Sequence, residues 1–235
     1  MIGRIITLVI VVALQVALRF TFQSVPVVPH YIDFNPGIAL VPAAGCFLGL
    51  AGAIASMVAN LASDYLQDMW SALALFRALG VFFFAMSASA LWPIARKAGW
   101  MGYVVVNLIG CFAAASWSGL GADLTRTYPF AYVSTIVLLH HGLFCLIAGP
   151  GLYLAARNRI DVPERDWGLR ASWWVVSGAV GSWIMGIFVS GTFYRNWPFE
   201  QYHLSDFSGM GLVVYIVPLL LLNLLGSARL GRMIN

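Results

Sequence analysis

The chain has 235 residues, of which 61% are hydrophobic and only 9% are charged, and its mean hydropathy is +0.85. Soluble globular domains carry about 25% charged residues, so this composition excludes a water-soluble domain and indicates an integral membrane protein. The formal net charge is +4, but basic residues in membrane proteins mostly mark cytoplasmic loops, and we expect no nucleic-acid partner. Apolar segments recur along residues 1–235, which predicts a single, all-α transmembrane domain.

The first apolar segment, residues 5–22, predicts a membrane helix that is retained. It follows a basic residue but lacks the small-x-small cleavage site that ends a signal peptide. Ala13 and Ala17 form a small-xxx-small pair, a spacing that allows close helix contacts, and they are the candidate residues for contact with a partner subunit. The same spacing recurs later in the chain, along the apolar segment 170–192, at Gly178, Ser182 and Gly186.

The second apolar segment is too long for one membrane helix. It holds 30 consecutive uncharged residues between Asp33 and Asp64. A single helix of that length would measure about 45 Å, whereas the hydrocarbon core is about 30 Å thick. We therefore predict two short helices that turn near Gly49, with one overlong helix as the alternative.

Five further apolar segments complete the predicted bundle, at residues 71–95, 100–121, 129–156, 170–192 and 209–228. The split segment makes the total about eight membrane helices, and an unsplit segment would make it seven. Basic residues cluster in alternate connections, which the positive-inside rule assigns to the cytoplasm. With eight helices both termini are cytoplasmic, and the connection that holds His30 and Asp33 faces outward.

Polar side chains collect at the predicted outer ends of the first four helices. Asn60 and Asp64 share one helical face, and Arg77 lies inside an apolar helix, where a guanidinium normally has an acidic or carbonyl partner. This pattern predicts an outward-facing pocket for a cation or a polar small molecule, with an aromatic ring against its organic body. The alternative is an interface belt in which an Arg–Asp pair holds helix ends together. The candidate substrate-binding residues are Asp33, Asn35, Asn60, Asp64, Trp70 and Arg77.

Histidines supply the candidate metal ligands, His30 in the first outer loop and His140 in the middle of a predicted span. His140 and His141 are adjacent and point about 100° apart around a helix, so we expect that they do not face one ligand together. A haem site would need a second histidine at matching depth, and we predict no cofactor. The three cysteines lie in apolar segments without metal-binding spacing, which predicts buried, unreactive thiols.

Motifs for catalysis are absent from the sequence. It contains no Walker A sequence, no nucleophile elbow and no H-E-x-x-H. No predicted span carries the paired buried acids of a proton pump. We therefore expect a protein that is not an enzyme and does not power transport by itself.

The stretch "NPGIALVPAAGCFLGLAGAIASMVANLASDYL" resembles the small-residue-rich helical hairpin of S components, the substrate-binding membrane subunits of energy-coupling factor (ECF) transporters. The resemblance covers roughly residues 10–95, and Ala13 and Ala17 are similar to the contact that S components offer to their transmembrane coupling subunit. S components usually have six helices, so we divide the chain into an S-component-like core, residues 1–160, and two additional helices within residues 161–235.

This resemblance implies a protein of the cell (inner) membrane that captures a vitamin-like compound or a metal cation at the outer face. It would have no ATPase of its own and would depend on a coupling subunit and two cytoplasmic ATPases. Two alternatives stay open from the sequence. One is an accessory or structural subunit of a larger membrane complex, and the other is a redox subunit that binds haem or a metal.

Overall fold

The computed structural model describes residues 2–23, 25–28, 32–156, 169–191 and 209–232. Two short strands, β1 (Pro26–Val28) and β2 (Ile32–Asp33), pair in antiparallel fashion. Short 3₁₀ helices lie at Pro36–Ala39 and Arg96–Ala98. The α-helices of the described residues are α1 (Ile2–Thr21), α2 (Leu40–Leu48), α3 (Leu50–Leu66), α4 (Ala72–Ala95), α5 (Gly99–Leu124), α6 (Phe130–Ala156), α7 (Leu169–Ser190) and α8 (Met210–Arg232).

The long uncharged segment folds into two helices, as its length predicts. Gly49 ends α2 and reverses the chain, and α3 returns alongside α2. The backbone of Gly49 has φ +67° and ψ −141°, a conformation that is readily accessible only to glycine. A Cβ atom on Gly52 would overlap the carbonyl group of Ala44, so the helices approach to a distance that needs glycine. The predicted turn near Gly49 is confirmed, and the single overlong helix is wrong.

A second turn of the same kind joins α4 to α5. Gly99 has φ +61° and ψ −133°, and a Cβ atom on Gly102 would overlap the carbonyl group of Ala95. The two turns read Gly-Leu-Ala-Gly at 49–52 and Gly-Trp-Met-Gly at 99–102. In both, the first glycine supplies the positive φ and the second permits close approach, so a Gly-x-x-Gly spacing marks both hairpins.

Four stretches of the described residues are long and apolar enough to cross a membrane: Ala72–Leu124, Phe130–Ala155, Ser172–Ser190 and Met210–Ala228. The first stretch contains both α4 and α5. Helix α1 and the two helices of the first hairpin are shorter apolar helices, and α2, at 1.5 Å per residue, is only about 14 Å long. The chain is thus a helical membrane protein with helices at the predicted positions, but α2 is too short to cross on its own.

The acidic side chains of the described residues all lie toward one end of the bundle, which also holds the α1–α2, α3–α4 and α5–α6 connections. We call this end the acidic end. Its acids are Asp33, Asp64, Asp68 and Asp123. Arg96 and Lys97 lie at the opposite end, in the turn between α4 and α5. Arg157, Arg159 and Arg165, on which the predicted orientation also depends, lie outside the described residues, so the orientation stays a prediction.

The α4–α5 hairpin forms the centre of the bundle. Helix α4 packs against α2, α3 and α8, and α5 packs against α6 and α7. Phe84, Tyr103 and Val106 are among the largest side chains that are fully buried here. Many large apolar side chains of the outer helices are instead exposed, which suits contact with lipid. Examples are Ile6, Val9, Ile54, Leu139, Leu143, Ile147, Phe188 and Leu221.

Small residues of α7 attach the last two helices closely to the bundle. A Cβ atom on Gly178 would lie 2.5 Å from the backbone oxygen of Leu219 on α8. The hydroxyl of Ser182 donates to that of Ser116 on α5 at 2.8 Å, and a Cβ atom on Gly186 would overlap the ring of Phe130 on α6. The small-residue spacing predicted close helix contacts, and these contacts form within the chain.

A buried asparagine adds a polar link among the same helices. The amide nitrogen of Asn223, on α8, donates to the backbone oxygen of Val175 on α7 at 2.9 Å and to the hydroxyl of Ser87 on α4 at 3.1 Å. Asn223 and Ser87 are fully buried. Interhelical hydrogen bonds of this kind stabilise helix contacts in a membrane, where lipid removes the hydrophobic driving force between helices.

At the acidic end, Asp123 fixes the starts of two helices. Its Oδ2 atom accepts the N–H of Phe130 at 3.1 Å, where α6 begins. Its Oδ1 atom accepts the N–H of Gly209 at 2.7 Å, immediately before α8. A carboxylate at a helix N-terminus satisfies unpaired N–H groups and interacts favourably with the helix dipole.

Candidate binding site

A buried ion triad joins α1, α3 and α4 near the acidic end. Asp64, on α3, is fully buried, and its Oδ1 atom accepts a hydrogen bond from Arg19 of α1. Nη2 of Arg77, on α4, lies 3.1 Å from the same oxygen. Both arginines are buried, with 5% and 7% of their surfaces exposed. Arg77 thus has the acidic partner that its position in an apolar helix predicts, since an isolated buried charge is costly.

Amide and hydroxyl groups extend this contact between α1 and α3. Asn60 lies one turn before Asp64; with its amide oriented to suit its neighbours, it accepts from Nη1 of Arg19 at 3.1 Å and donates to Oδ2 of Asp64 at 3.3 Å. One turn earlier on each helix, Nε2 of Gln15 donates to the hydroxyl of Ser56 at 3.0 Å. Polar residues four positions apart share a helix face, so a polar face of α1 meets a polar face of α3.

A cavity of about 670 Å³ opens at the acidic end beside this triad. We call it the vestibule. Its rim carries the exposed side chains of Asp68 and Trp70, from the α3–α4 connection, and Arg77 lies buried at its base. Asp33 of β2 contributes a half-buried carboxyl group to the wall. The polar side chains that line the vestibule are Gln23, Asp33, Gln67, Asp68, Ser71 and Arg77.

A smaller cavity of about 50 Å³ adjoins the vestibule, because Asp33 and Arg77 line both. We call it the chamber. It reaches from β2 and the 3₁₀ helix before α2 to α6, and eight of its twelve lining residues are polar. The polar residues of its lining are Arg19, Asp33, Asn35, Asn60, Arg77, Ser118, His140 and His141. A space of this size holds one small polar group or a water molecule or two.

The two adjacent histidines both line the chamber, although their Cα–Cβ bonds point about 100° apart around the helix. Their Nδ1 atoms are 3.2 Å apart, because two imidazole side chains are long enough to turn toward each other across 100° of helix. The backbone N–H of Asn35 donates to Nε2 of His140 at 3.3 Å. The proton of a neutral His140 ring therefore lies on Nδ1 and is donated to His141. His140 thus links α6 to the chain segment that precedes α2.

Among the described candidate residues, Asp33 lies outside the helices and has an ionisation that the site perturbs. Burial raises the pKa of its carboxyl group above the usual range, since desolvation disfavours the charged form. The positive charges of Arg19 and Arg77 oppose this shift, and the charge of Asp64 adds to it. Asp33 therefore lies within electrostatic reach of the whole triad.

The structure brings most of the predicted site residues together. Asp33, Asn35, Asn60 and Arg77 line the chamber, Trp70 lines the vestibule, and Asp64 lies behind both cavities as the shared partner of the two arginines. Among the candidate metal ligands, His140 lines the chamber, whereas His30 lies outside the described residues.

The predictions for the alanine pair on α1, the cysteines and a metal site can each be compared with the structure. Ala13 and Ala17, the candidate contacts for a partner subunit, are both exposed on α1. The three cysteines are free and buried, as predicted. Among the described residues, no group of three or more histidine, cysteine, aspartate or glutamate side chains could hold a metal ion.

Arg19 is the principal site residue that the sequence reasoning missed. It lies two residues before the end of α1, where an arginine is typical of the flank of a membrane helix. The available signal was its spacing from Gln15, since two polar residues four positions apart in an apolar helix indicate a buried polar face. The same reasoning would have added Ser56, four positions before Asn60 on α3.

Comparison with known proteins does not assign the site. The chain matches no protein-family model, no curated protein and no solved structure. The function is therefore inferred from the cavities and from the residues that line them.

Proposed function

We propose that this protein is a membrane subunit that captures a small molecule at its acidic end for uptake into the cell. The observation that carries the proposal is the pair of adjoining cavities that share Asp33 and Arg77. The vestibule, at about 670 Å³, lies within the range of about 300–1,000 Å³ that is usual for small-molecule sites. A vitamin-like organic compound fits this space, and a metal cation is the alternative substrate.

Buried polar atoms in the cavity walls support a binding role. Within the described residues, Oε1 and Nε2 of Gln67 and Oδ1 of Asn35 have no hydrogen-bond partner. Leaving such a buried group unsatisfied costs about 1–3 kcal/mol. Gln67 lines the vestibule and Asn35 lines the chamber, so a polar ligand in either cavity would find hydrogen-bonding groups there.

Energy for uptake would come from partner subunits, as the resemblance to S components implies. The sequence holds no nucleotide-binding motif, and a transmembrane coupling subunit with cytoplasmic ATPases would supply that function. Ala13 and Ala17 are exposed on α1 and are available for a close helix contact with such a subunit. Lipid would cover the rest of the apolar outer surface.

Orientation and location complete the proposal. Arg96 and Lys97, opposite the acidic end, face the cytoplasm under the positive-inside rule, so the vestibule opens to the exterior. The protein would reside in the cell (inner) membrane as a multi-pass subunit, and no catalysis is involved.

The test is purification from native membranes in a mild detergent, followed by mass spectrometry of the bound small molecules and co-purifying proteins. We expect a retained small molecule whose amount falls with Trp70→Ala. Trp100→Ala is the matched control, because Trp100 is also exposed but lies at the opposite end, where α5 begins. It should leave retention unchanged.

The outcomes separate the proposal from its alternatives. Co-purification of a membrane subunit and ATPases together with a small molecule supports substrate capture. Recovery with a stable enzyme assembly and without a small molecule would instead indicate an accessory subunit. If the protein retains no small molecule, and Trp70→Ala and Arg77→Gln both leave uptake by cells unchanged, the proposal is wrong.

A further inference from the structure

Charge is distributed unequally between the rim and the base of the vestibule. At the rim, Asp68 is exposed and adopts a left-handed backbone conformation with φ +55°. At the base, Arg77 is 7% exposed, with its charge in the same polar cluster as that of Arg19. A ligand that enters therefore passes a carboxylate first and meets a guanidinium at the end.

The chamber behind Arg77 is suited to a small anionic group. Two guanidinium groups converge there on the single buried carboxylate of Asp64. Asp33 and Asp64 balance the charges of Arg19 and Arg77, and Asp68 adds one negative charge at the rim, so a ligand that places an anionic group beside Arg77 also needs a positive group near the rim. A planar carboxylate is the anionic group that matches the fork of an arginine. A phosphate would add up to two negative charges beside Asp33 and Asp64.

An aromatic wall separates the two charged ends. Trp70 is 57% exposed and lies at the vestibule, with its ring centroid 6.4 Å from that of Tyr65 in an edge-to-face arrangement. Leu73 and Met69 add apolar surface to the lining. This wall provides an apolar face for a flat organic body in the same cavity as the charged side chains of Asp33, Asp68 and Arg77.

We infer that the substrate is a zwitterion with a flat ring, which places its carboxylate at Arg77 and its amine between Asp33 and Asp68. The inference rests on the proposed function and specifies the substrate class of the same site. The carboxylate reaches the mouth of the chamber, and the ring lies against Trp70. The charge of each ligand end is then opposite to that of the residues it meets.

Three probes of one shape and different charge test the inference. 4-(Aminomethyl)benzoate is a zwitterion at neutral pH, 4-methylbenzoate is an anion, and 4-methylbenzylamine is a cation. Their binding to the purified full-length protein in lipid nanodiscs is measured by calorimetry or by ligand-observed NMR. We expect the zwitterion to bind at least about tenfold more tightly than either singly charged probe, since each end adds a charge-assisted contact.

Two variants assign the ends of the probe. Arg77→Lys keeps a positive partner for Asp64 but loses the planar fork, and it should weaken the zwitterion and the anion but not the cation. Asp68→Asn should weaken the zwitterion and the cation but not the anion. Asparagine tolerates the left-handed conformation of position 68, so this variant leaves the turn intact. Lys97→Gln, at the opposite end, is the control and should change none of the three.

The inference fails if the cation binds as tightly as the zwitterion or if Asp68→Asn weakens all three probes equally. It also fails if no probe binds at concentrations up to about 10 mM. A co-purified native ligand of another charge class would also overturn it, while the proposed function would stand. If the protein supports no uptake by cells and retains no small molecule on purification, both the inference and the proposed function are wrong.

Discussion

Asp64→Asn is the substitution that most directly tests the buried triad. Asparagine matches the size of aspartate and removes only the negative charge, which leaves Arg19 and Arg77 close together without their shared partner. Breaking a buried ion pair on one side costs about 3–5 kcal/mol. Because Asp64 serves two cations and is fully buried, we expect a loss in the free energy of unfolding at the upper end of that range.

The second half of the test removes one of the two cations. Arg19→Met leaves Asp64 paired with Arg77, so it should cost only about 1–3 kcal/mol. Asp64→Asn combined with Arg19→Met leaves a single unpaired guanidinium instead of two. The double variant should therefore lose less than the sum of the single losses, by about 2 kcal/mol.

The assay is unfolding of the purified protein by sodium dodecyl sulfate in mixed micelles, followed by the fluorescence of its nine tryptophans. Lys97→Gln, an exposed cation at the opposite end, is the control for a general effect of charge and should change stability by less than about 0.5 kcal/mol. A loss below about 1 kcal/mol for Asp64→Asn, or losses that simply add in the double variant, would refute the triad as described.

Three further predictions follow from other parts of the structure. Gly45→Ala should strongly destabilise the protein in the same assay, because its Cβ atom would overlap the backbone of Ala85 on α4, whereas Gly151→Ala, with open space around the added Cβ atom, should not. Asp123→Asn should lower stability by about 2–3 kcal/mol, because it replaces one of two acceptors of backbone N–H groups with a donor; no loss in thermal unfolding would contradict this. The pKa of Asp33 is raised, so the folded state binds the carboxyl proton more tightly than the unfolded state does. The contribution of Asp33 to stability is therefore largest at acidic pH and falls as the pH rises above the ordinary pKa of 3.8. The difference in melting temperature between wild type and Asp33→Asn should follow that trend, and the opposite trend would contradict it.

The sequence was sufficient to locate the helices and the first hairpin. The uncharged segment between Asp33 and Asp64 is longer than one membrane crossing, and Gly49 is a residue that can reverse the chain. Arg77 likewise required a partner because of the cost of a bare charge in an apolar helix. Each of these conclusions depends on a local property, either a length or a solvation energy, which the sequence contains.

Contacts between distant helices could not be predicted in the same way. Arg19 reaches Asp64 across 45 positions of sequence, and nothing local to either residue states that α1 lies against α3. The contact of His140 with Asn35 spans 105 positions. The helical-wheel argument also gave no sign that the rings of His140 and His141 turn toward each other, because it considers the directions of the Cα–Cβ bonds and not the reach of the rings.

Arg77 belongs to both the packing of the bundle and the lining of the cavities, so stability and ligand binding are linked through it. In the wild type, its charge is already compensated by Asp64, and a ligand carboxylate adds a second partner. In Asp64→Asn that compensation is lost, and a carboxylate bound at the base of the vestibule would become the principal counter-charge. A ligand that binds only the folded state stabilises it by about 2.7 kcal/mol at one hundred times its Kd. It follows that a carboxylate ligand should raise the melting temperature of Asp64→Asn by more than that of the wild type, whereas a cationic ligand would have no such preference.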